Sequence, residues 1–328
     1  MLRSRGRFIA MLVIGVIATS ILFLWYRVSS AQEHKVAYGV TFSTLYAKEL
    51  GLDWKEAFIA TLDDLGVRHF RIPVYWNTVE SVQGVRDWSE VDWMLEEAAK
   101  RDASVILAVG RKTPRWPECH VPEWAMVLSP EKQNERVLEF LASEIEHFKN
   151  ASVIKRWQVE NEPLFRFGTC PPPDREMLKK EISLVRELDT RPIMATDSGE
   201  LSTWLRVGPL VDVLGISMYR LVWNSTVGSL YWPVAPTFYE DRIRLLKPFL
   251  HDVFVSELQA EPWFHKAVAD TPLEEQFTQM NPEKLDANAR FAAASGASEV
   301  YLWGVEWWYW VSKQGHPDLW ETAKRFYK

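Results

Sequence analysis

Two glutamates stand at the ends of apolar, strand-like runs. Glu162 closes Trp157-Gln158-Val159-Glu160-Asn161-Glu162-Pro163, and Glu257 lies in Val253-Phe254-Val255-Ser256-Glu257-Leu258. In the first run the alternation from Ile154 reads as a strand, and Pro163 lacks the N–H that would continue a ladder. A carboxyl and a carboxamide, Glu162 and Asn161, therefore sit together at a strand's C-terminal lip. Alone, that segment fits equally well a strand running into an acidic turn. A second acid at the end of a later strand changes the balance, because two facing carboxyls are the minimum machinery for cleaving a glycosidic bond. One gives a proton to the departing oxygen, and the other supports or attacks the anomeric carbon.

Such a pair needs a scaffold that brings distant segments to one mouth. From residue 36 onward the chain alternates strand and helix. The patterning predicts strands over 36–42, 69–73, 104–110, 154–160, 191–197, 213–219, 253–258 and 299–303. Helices are expected over 53–65, 91–101, 131–149, 175–188, 242–250, 282–294 and 319–327, with only a short helical piece after the fifth strand. Alternation of this kind implies a parallel sheet, and eight units imply closure into a (β/α)8 TIM barrel. No linker or repeat interrupts it, so residues 34–328 read as a single catalytic domain. The fourth and seventh strands would then face one another across the mouth, bringing Glu162 and Glu257 into one pocket. Arg71, Tyr219 and Trp303 fall at the ends of the second, sixth and eighth strands.

This pattern resembles the clan A glycoside hydrolases, retaining enzymes with an acid/base glutamate after strand four and a nucleophilic glutamate after strand seven. Asn161-Glu162-Pro163 resembles the family 5 signature, and Trp157 to Glu162 also resembles the matching strand of family 42 β-galactosidases. Val255-Ser256-Glu257 matches the nucleophile's position. The resemblance implies Glu162 as acid/base, Glu257 as nucleophile, Arg71 and Tyr219 beside the nucleophile, and Trp303 under the sugar. It spans most of the chain and marks the clan far better than the substrate.

Elementary electrostatics agrees with those roles. Arg71 and the Tyr219 hydroxyl would hold Glu257 ionised, and that charge would keep Glu162 protonated until a glycosyl-enzyme forms. Asn161 is placed to meet the sugar 2-hydroxyl. Retention requires the two carboxyls about 5–5.5 Å apart, too close to seat a water between them. Other acids compete. Glu160, two residues before Glu162, should point the same way from deeper in the barrel, as a partnered support. Asp197, Glu200 and Glu306 could touch substrate hydroxyls, and Glu261 is the second choice of nucleophile. Arg71 as a structural ion pair, and Tyr219 and Trp303 as barrel packing, are the plainer alternatives.

The 17 tryptophans are the compositional outlier. Trp76, Trp116, Trp124, Trp223, Trp263, Trp307 and Trp308 follow strand ends, where flat rings suit sugar faces better than a core, so several should form subsites. Cys119 and Cys170 follow adjacent strands and could pair as a disulfide pinning the rim. Unrelated free thiols are the alternative. His120 reads as a loop residue, since no second His or Cys stands at ligand spacing, and no metal or cofactor is expected.

The remaining composition sets limits. The net charge of −6 without long runs of one sign argues against a nucleic-acid partner. Arg3, Arg5 and Arg7 precede an uncharged apolar run over 8–26, closed by Arg27. Residues 1–30 therefore read as a transmembrane signal anchor with the barrel outside the cytoplasm. Ser29-Ser30-Ala31 also offers a cleavage site, which would give a secreted product, and the absence of a following Cys speaks against a lipoprotein. The expected activity is a retaining β-glycosidase with a carbohydrate substrate, first an endo-β-glucanase or β-mannanase. An exo-acting β-galactosidase or a transglycosylase acting on cell-surface exopolysaccharide is the enzymatic alternative. A barrel that binds carbohydrate without cleaving it is the alternative from another class. The sequence does not specify an oligomeric state.

Overall fold

The structure is a computed structural model that describes residues 34–224, 228–264 and 266–328, with the backbone alone at 223 and 224. The expected anchor over 1–30 lies outside the described residues, and among the described residues no helix is long and apolar enough to cross a membrane.

The strands are β1 (Ala37–Thr41), β2 (His69–Pro73), β3 (Ser104–Val109), β4 (Ile154–Val159), β5 (Ile193–Asp197), β6 (Val213–Met218), β7 (Leu221–Asn224), β8 (Gly228–Tyr231), β9 (Asp252–Gln259) and β10 (Glu299–Trp303). Eight of them close a barrel in the order β1-β10-β9-β6-β5-β4-β3-β2, every pair parallel. The expected (β/α)8 barrel is present. The antiparallel β7–β8 hairpin is an insertion between the sixth and seventh barrel strands that strand–helix alternation did not reveal.

The helices between the strands begin where local chemistry dictates. Helix α6 (Pro130–Phe148) starts at Ser129, whose hydroxyl accepts from Lys132 N, with Pro130 in the first turn. Helix α7 (Arg175–Leu188) is capped by Asp174 accepting from Glu176 N and Met177 N. Helix α10 (Pro282–Ala293) repeats the proline start behind Asn281. Strand β5 is followed only by a 3₁₀ turn, Gly208–Leu210, as expected. Five further helices are α1 (Thr44–Glu49), α3 (Trp76–Val79), α5 (Glu123–Met126), α9 (Leu273–Gln279) and α11 (Val305–Lys313), in segments read from sequence as loops.

The core has two parts. Ile106, Met194, Val213, Phe254 and Tyr301 fill the barrel interior, and a far larger apolar shell lies between strands and helices. Trp76, Trp307 and Trp308 belong to that shell, fully buried on α3 and α11. The expectation that they line the rim is therefore corrected. A tryptophan just after a strand packs inward when the next residues wind into a helix. Trp124 on α5 also packs against the shell, edge-on to Trp76 and donating to Glu80 O.

Two backbone irregularities decide where the strand ends point. The register of β9 shifts against both neighbours around Ser256, so β9 carries one extra residue just before Glu257. Such a bulge re-aims the following side chain. At the end of β4, Glu160 (φ 62°) and Glu162 (φ 42°) adopt left-handed backbone, which costs about 1–3 kcal/mol per non-glycine residue.

Candidate active site

A cavity of about 590 Å³ opens at the C-terminal ends of the strands, and Glu162, Glu257, Asn161, Tyr219, Trp303, Trp116 and Trp263 all line it. Residues from β4, β6, β9, β10 and the loop after β3 thus meet in one place, as the barrel reading required.

Glu257 is held by two donors. Arg71 Nη1 pairs with its Oε1 at 2.8 Å, and the Tyr219 hydroxyl donates to its Oε2 at 3.2 Å. Both oxygens are held by donors from β2 and the end of β6. Arg71 itself is fully buried and does not reach the cavity. Its Nε donates to Gln158 Oε1 at 2.6 Å and its Nη2 to Asn161 Oδ1 at 2.6 Å. Its donors are spent on Glu257, Gln158 and Asn161.

Glu162 has a different environment. Ser217 Oγ donates to its Oε1 at 2.8 Å, and its backbone N donates to Thr196 Oγ1 at 2.7 Å. Burial first, and then the charge of Glu257, push its carboxyl up to about 8. Lys112 braces the turn from behind, its Nζ donating to Glu162 O at 2.9 Å and Phe165 O at 3.0 Å. Asn161 Oδ1 accepts from Arg71, Thr196 Oγ1 (2.9 Å) and Gln158 Nε2 (3.3 Å), while its Nδ2 donates to Glu118 Oε2 at 3.0 Å.

The competing acids separate. Glu160 does not line the cavity. Its carboxylate accepts from Arg111 N (2.7 Å) and Lys112 N (2.8 Å), and Glu181 of α7 bonds to it. It is the partnered support expected, but it does not point the way Glu162 does, because the left-handed turn breaks the strand's alternation. Asp197 also stays outside, accepting from Ser198 N and Ser202 Oγ. Glu200 does line the cavity and accepts from Tyr219 N and the Tyr239 hydroxyl, with burial pushing it up to about 7.

Glu261 lines the wall, but Arg115 binds it and, through Nη2 at 3.0 Å, Glu306 as well. Glu306 is thereby committed to Arg115 and Ser43 N and does not reach the cavity. The Arg115 guanidinium lies between the rings of Tyr46 (3.8 Å) and Trp303 (4.3 Å). It therefore covers part of the Trp303 platform expected beneath the sugar.

Of the expected rim tryptophans, Trp116 is 69% exposed at the cavity edge and Trp263 stands edge-on to Tyr219 at 4.8 Å. Phe167 bridges them, 6.1 Å from Trp116 and 5.9 Å from Trp263. The three rings form an apolar wall leading from the rim to Tyr219. The Trp223 side chain lies outside the described residues. Cys119 and Cys170 form the expected disulfide, with Cα atoms 5.2 Å apart. His120 is buried, bonded through Nε2 to Arg115 O at 3.1 Å, and burial lowers its pKa to about 4. Among the described residues no group of three or more His, Cys, Asp or Glu is arranged to hold a metal.

Sequence reading missed Glu118, Arg115, Ser217, Thr196, Gln158 and Phe167. Gln158 sits inside the quoted strand-four motif and Ser217 two residues before Tyr219, so strand register offered a signal for both. Glu118 and Arg115 lie in an irregular loop without one.

No protein-family model matches the chain, and no curated protein matches it. Solved structures do resemble it. A GH5_18 protein from Streptomyces cattleya, solved with GlcNAc, superposes with a TM-score of 0.53 at 15% identity, covering 83% of this chain and 71% of that one. A GH5_18 protein from Bifidobacterium longum subsp. longum gives 0.57 at 12% identity, over 82% and 69%. An exo-β-1,4-mannosidase from an Opitutaceae bacterium gives 0.56 at 15% identity, over 84% of this chain but only 52% of that chain. The likeness is one of fold.

Proposed function

We propose that the chain is a retaining β-glycoside hydrolase, with Glu162 as acid/base and Glu257 as nucleophile. The observation that carries this reading is two carboxyls lining one cavity in opposite environments. Glu257 is ion-paired with Arg71, whereas Glu162 is pushed up to about 8 by burial and by Glu257. A protonated acid beside a carboxylate is the division of labour that glycoside cleavage needs. Glu162 gives its proton to the leaving oxygen as Glu257 attacks the anomeric carbon. Once Glu257 is esterified its charge is gone, Glu162 becomes a stronger acid, and its carboxylate takes a proton from the incoming water. Tyr219 and Arg71 hold the nucleophile in line, and the free hydrogen of Asn161 Nδ2 is available to the 2-hydroxyl.

The aromatic wall of Trp116, Phe167 and Trp263 favours a substrate with more than one sugar ring. A β-linked glucan or mannan is therefore the first expectation, in keeping with the mannosidase and GH5_18 proteins among the fold relatives. The basic residues and apolar run before residue 30, together with a disulfide suited to an oxidising compartment, support a membrane-anchored or secreted enzyme.

The test compares Glu162→Gln and Glu257→Gln with wild type on aryl β-glycosides, β-glucans and β-mannans. Each should lose about 10²–10⁴-fold or more in kcat. Proton NMR of the wild-type reaction should show the β-anomer released first. Undiminished hydrolysis by both variants would refute the assignment of these two residues, no hydrolysis by wild type would leave a carbohydrate-binding barrel, and an α-anomer released first would refute retention.

A further inference from the structure

The two-carboxyl scheme leaves a third acid of the cavity unused. Glu118, in the loop after β3, lines the cavity and is 5% exposed. It accepts from Asn161 Nδ2 at 3.0 Å, so it takes one of the two hydrogens on the only end of that carboxamide not already held by Arg71, Thr196 and Gln158. The other hydrogen is thereby directed.

The loop is built around this side chain. Glu118 has left-handed backbone (φ 74°). Its N–H donates to Arg115 O at 2.8 Å, and its carbonyl accepts from Thr113 N at 2.9 Å. Next to it, Pro117 O accepts from Thr169 N at 3.0 Å, and Cys119 is tied to Cys170. Gly168 makes that approach possible, since a Cβ there would stand 2.5 Å from Pro117 O and 2.6 Å from Glu118 Cβ. A solvated acidic loop has no need of such bracing.

We propose that Glu118 is a positioning residue of this site, orienting the Asn161 carboxamide toward the sugar and adding a third charge-bearing group beside Glu162 and Glu257. Its kinetic consequences rest on the hydrolase reading. Its effect on Glu162 does not. The groups facing Glu118 are Glu257, Asn161, Lys112 and Arg71, and those facing Glu162 are Glu257, Ser217, Glu118 and Lys112. Burial and then the charge of Glu257 push Glu118 up to about 8, and an ionised Glu118 in turn raises Glu162. Removing the Glu118 charge must lower the pKa of Glu162.

Glu118→Gln keeps an acceptor for Asn161 without the charge, and Glu118→Ala removes both. In the first variant the alkaline limb of kcat/KM should move to lower pH. In the second kcat should also fall about tenfold to a hundredfold, the effect of one misdirected hydrogen bond, with KM changed much less. Titration of ¹³C-labelled glutamates by NMR in the full chain supplies a readout independent of turnover. The Glu162 midpoint should drop in Glu118→Gln, and an unmoved midpoint overturns the proposal whether or not any sugar is cleaved. A lowered midpoint in a protein that cleaves no β-glycoside would uphold the placement of Glu118 and overturn the hydrolase reading instead. Equal kcat in Glu118→Ala and Glu118→Gln would overturn the Asn161 role.

Discussion

Glu162 and Glu257 are the same side chain given different properties by what surrounds them. The Ser217 hydroxyl bonds to the charged form of Glu162 and so opposes the upward push of burial and of Glu257. In the proposed acid role Glu162 must hold its proton to donate it, so kcat/KM should fall as pH rises through about 8. Ser217→Ala removes a bond that favours the carboxylate. The alkaline limb should therefore move upward, by up to about one pH unit for a hydrogen bond of ordinary strength. A pH–rate profile reads this directly, and a downward move would contradict the stated role of Ser217. The motif around Glu162 was legible because proline and alternation mark a strand end. Thr196 and Glu118, which come from other elements, were not.

At the scale of elements, β4 and β9 place the chemistry by departing from ideal strands. The extra residue of β9 at Ser256 needs room on β6, where a Cβ on Gly215 would stand 2.7 Å from Ser256 Oγ and 2.8 Å from its Cβ. Gly215→Ala should cost about 1–3 kcal/mol by overpacking and lower kcat by displacing Glu257. Thermal melts alongside kinetics check both effects, and an unchanged kcat would show that the bulge does not aim Glu257.

The turn after β4 is held in turn by α7. Glu181 bonds Glu160 there, and burial and Glu160 raise its pKa well above the usual 4.5. A folded state that keeps this proton is favoured at low pH, and that advantage is lost as pH climbs from the unfolded value through the folded one. Glu181→Gln still donates to Glu160 but does not titrate. It should melt above wild type at pH 9 and close to it at pH 5, as calorimetry can show. The strands themselves were legible to within a residue or two because parallel barrel strands are buried on both faces and read as apolar runs. The short helices and the β7–β8 hairpin were not, since they lack the length over which a period shows.

For the whole molecule, closure of the barrel and the Cys119–Cys170 link decide how rigid the mouth is. The two cysteines are 51 residues apart in sequence, so breaking the link should cost about 4 kcal/mol by loop-closure entropy. Cys119→Ser should lower the melting temperature accordingly, and reductant should destabilise wild type but not the variant.

By itself the sequence determined the barrel, the paired glutamates, the disulfide partners and the strand ends that carry the site, because periodicity, proline and residue type act locally. Only the tertiary structure decided that Trp116 and Trp263 line the cavity while Trp76, Trp124, Trp307 and Trp308 pack in or against the core. It alone sent Glu160 away from the cavity, buried Arg71 beneath it, and brought Arg115 and Glu118 into it. Those outcomes follow from the left-handed turn after β4, the bulge in β9 and contacts between loops, where neighbours distant in the chain outweigh local preference.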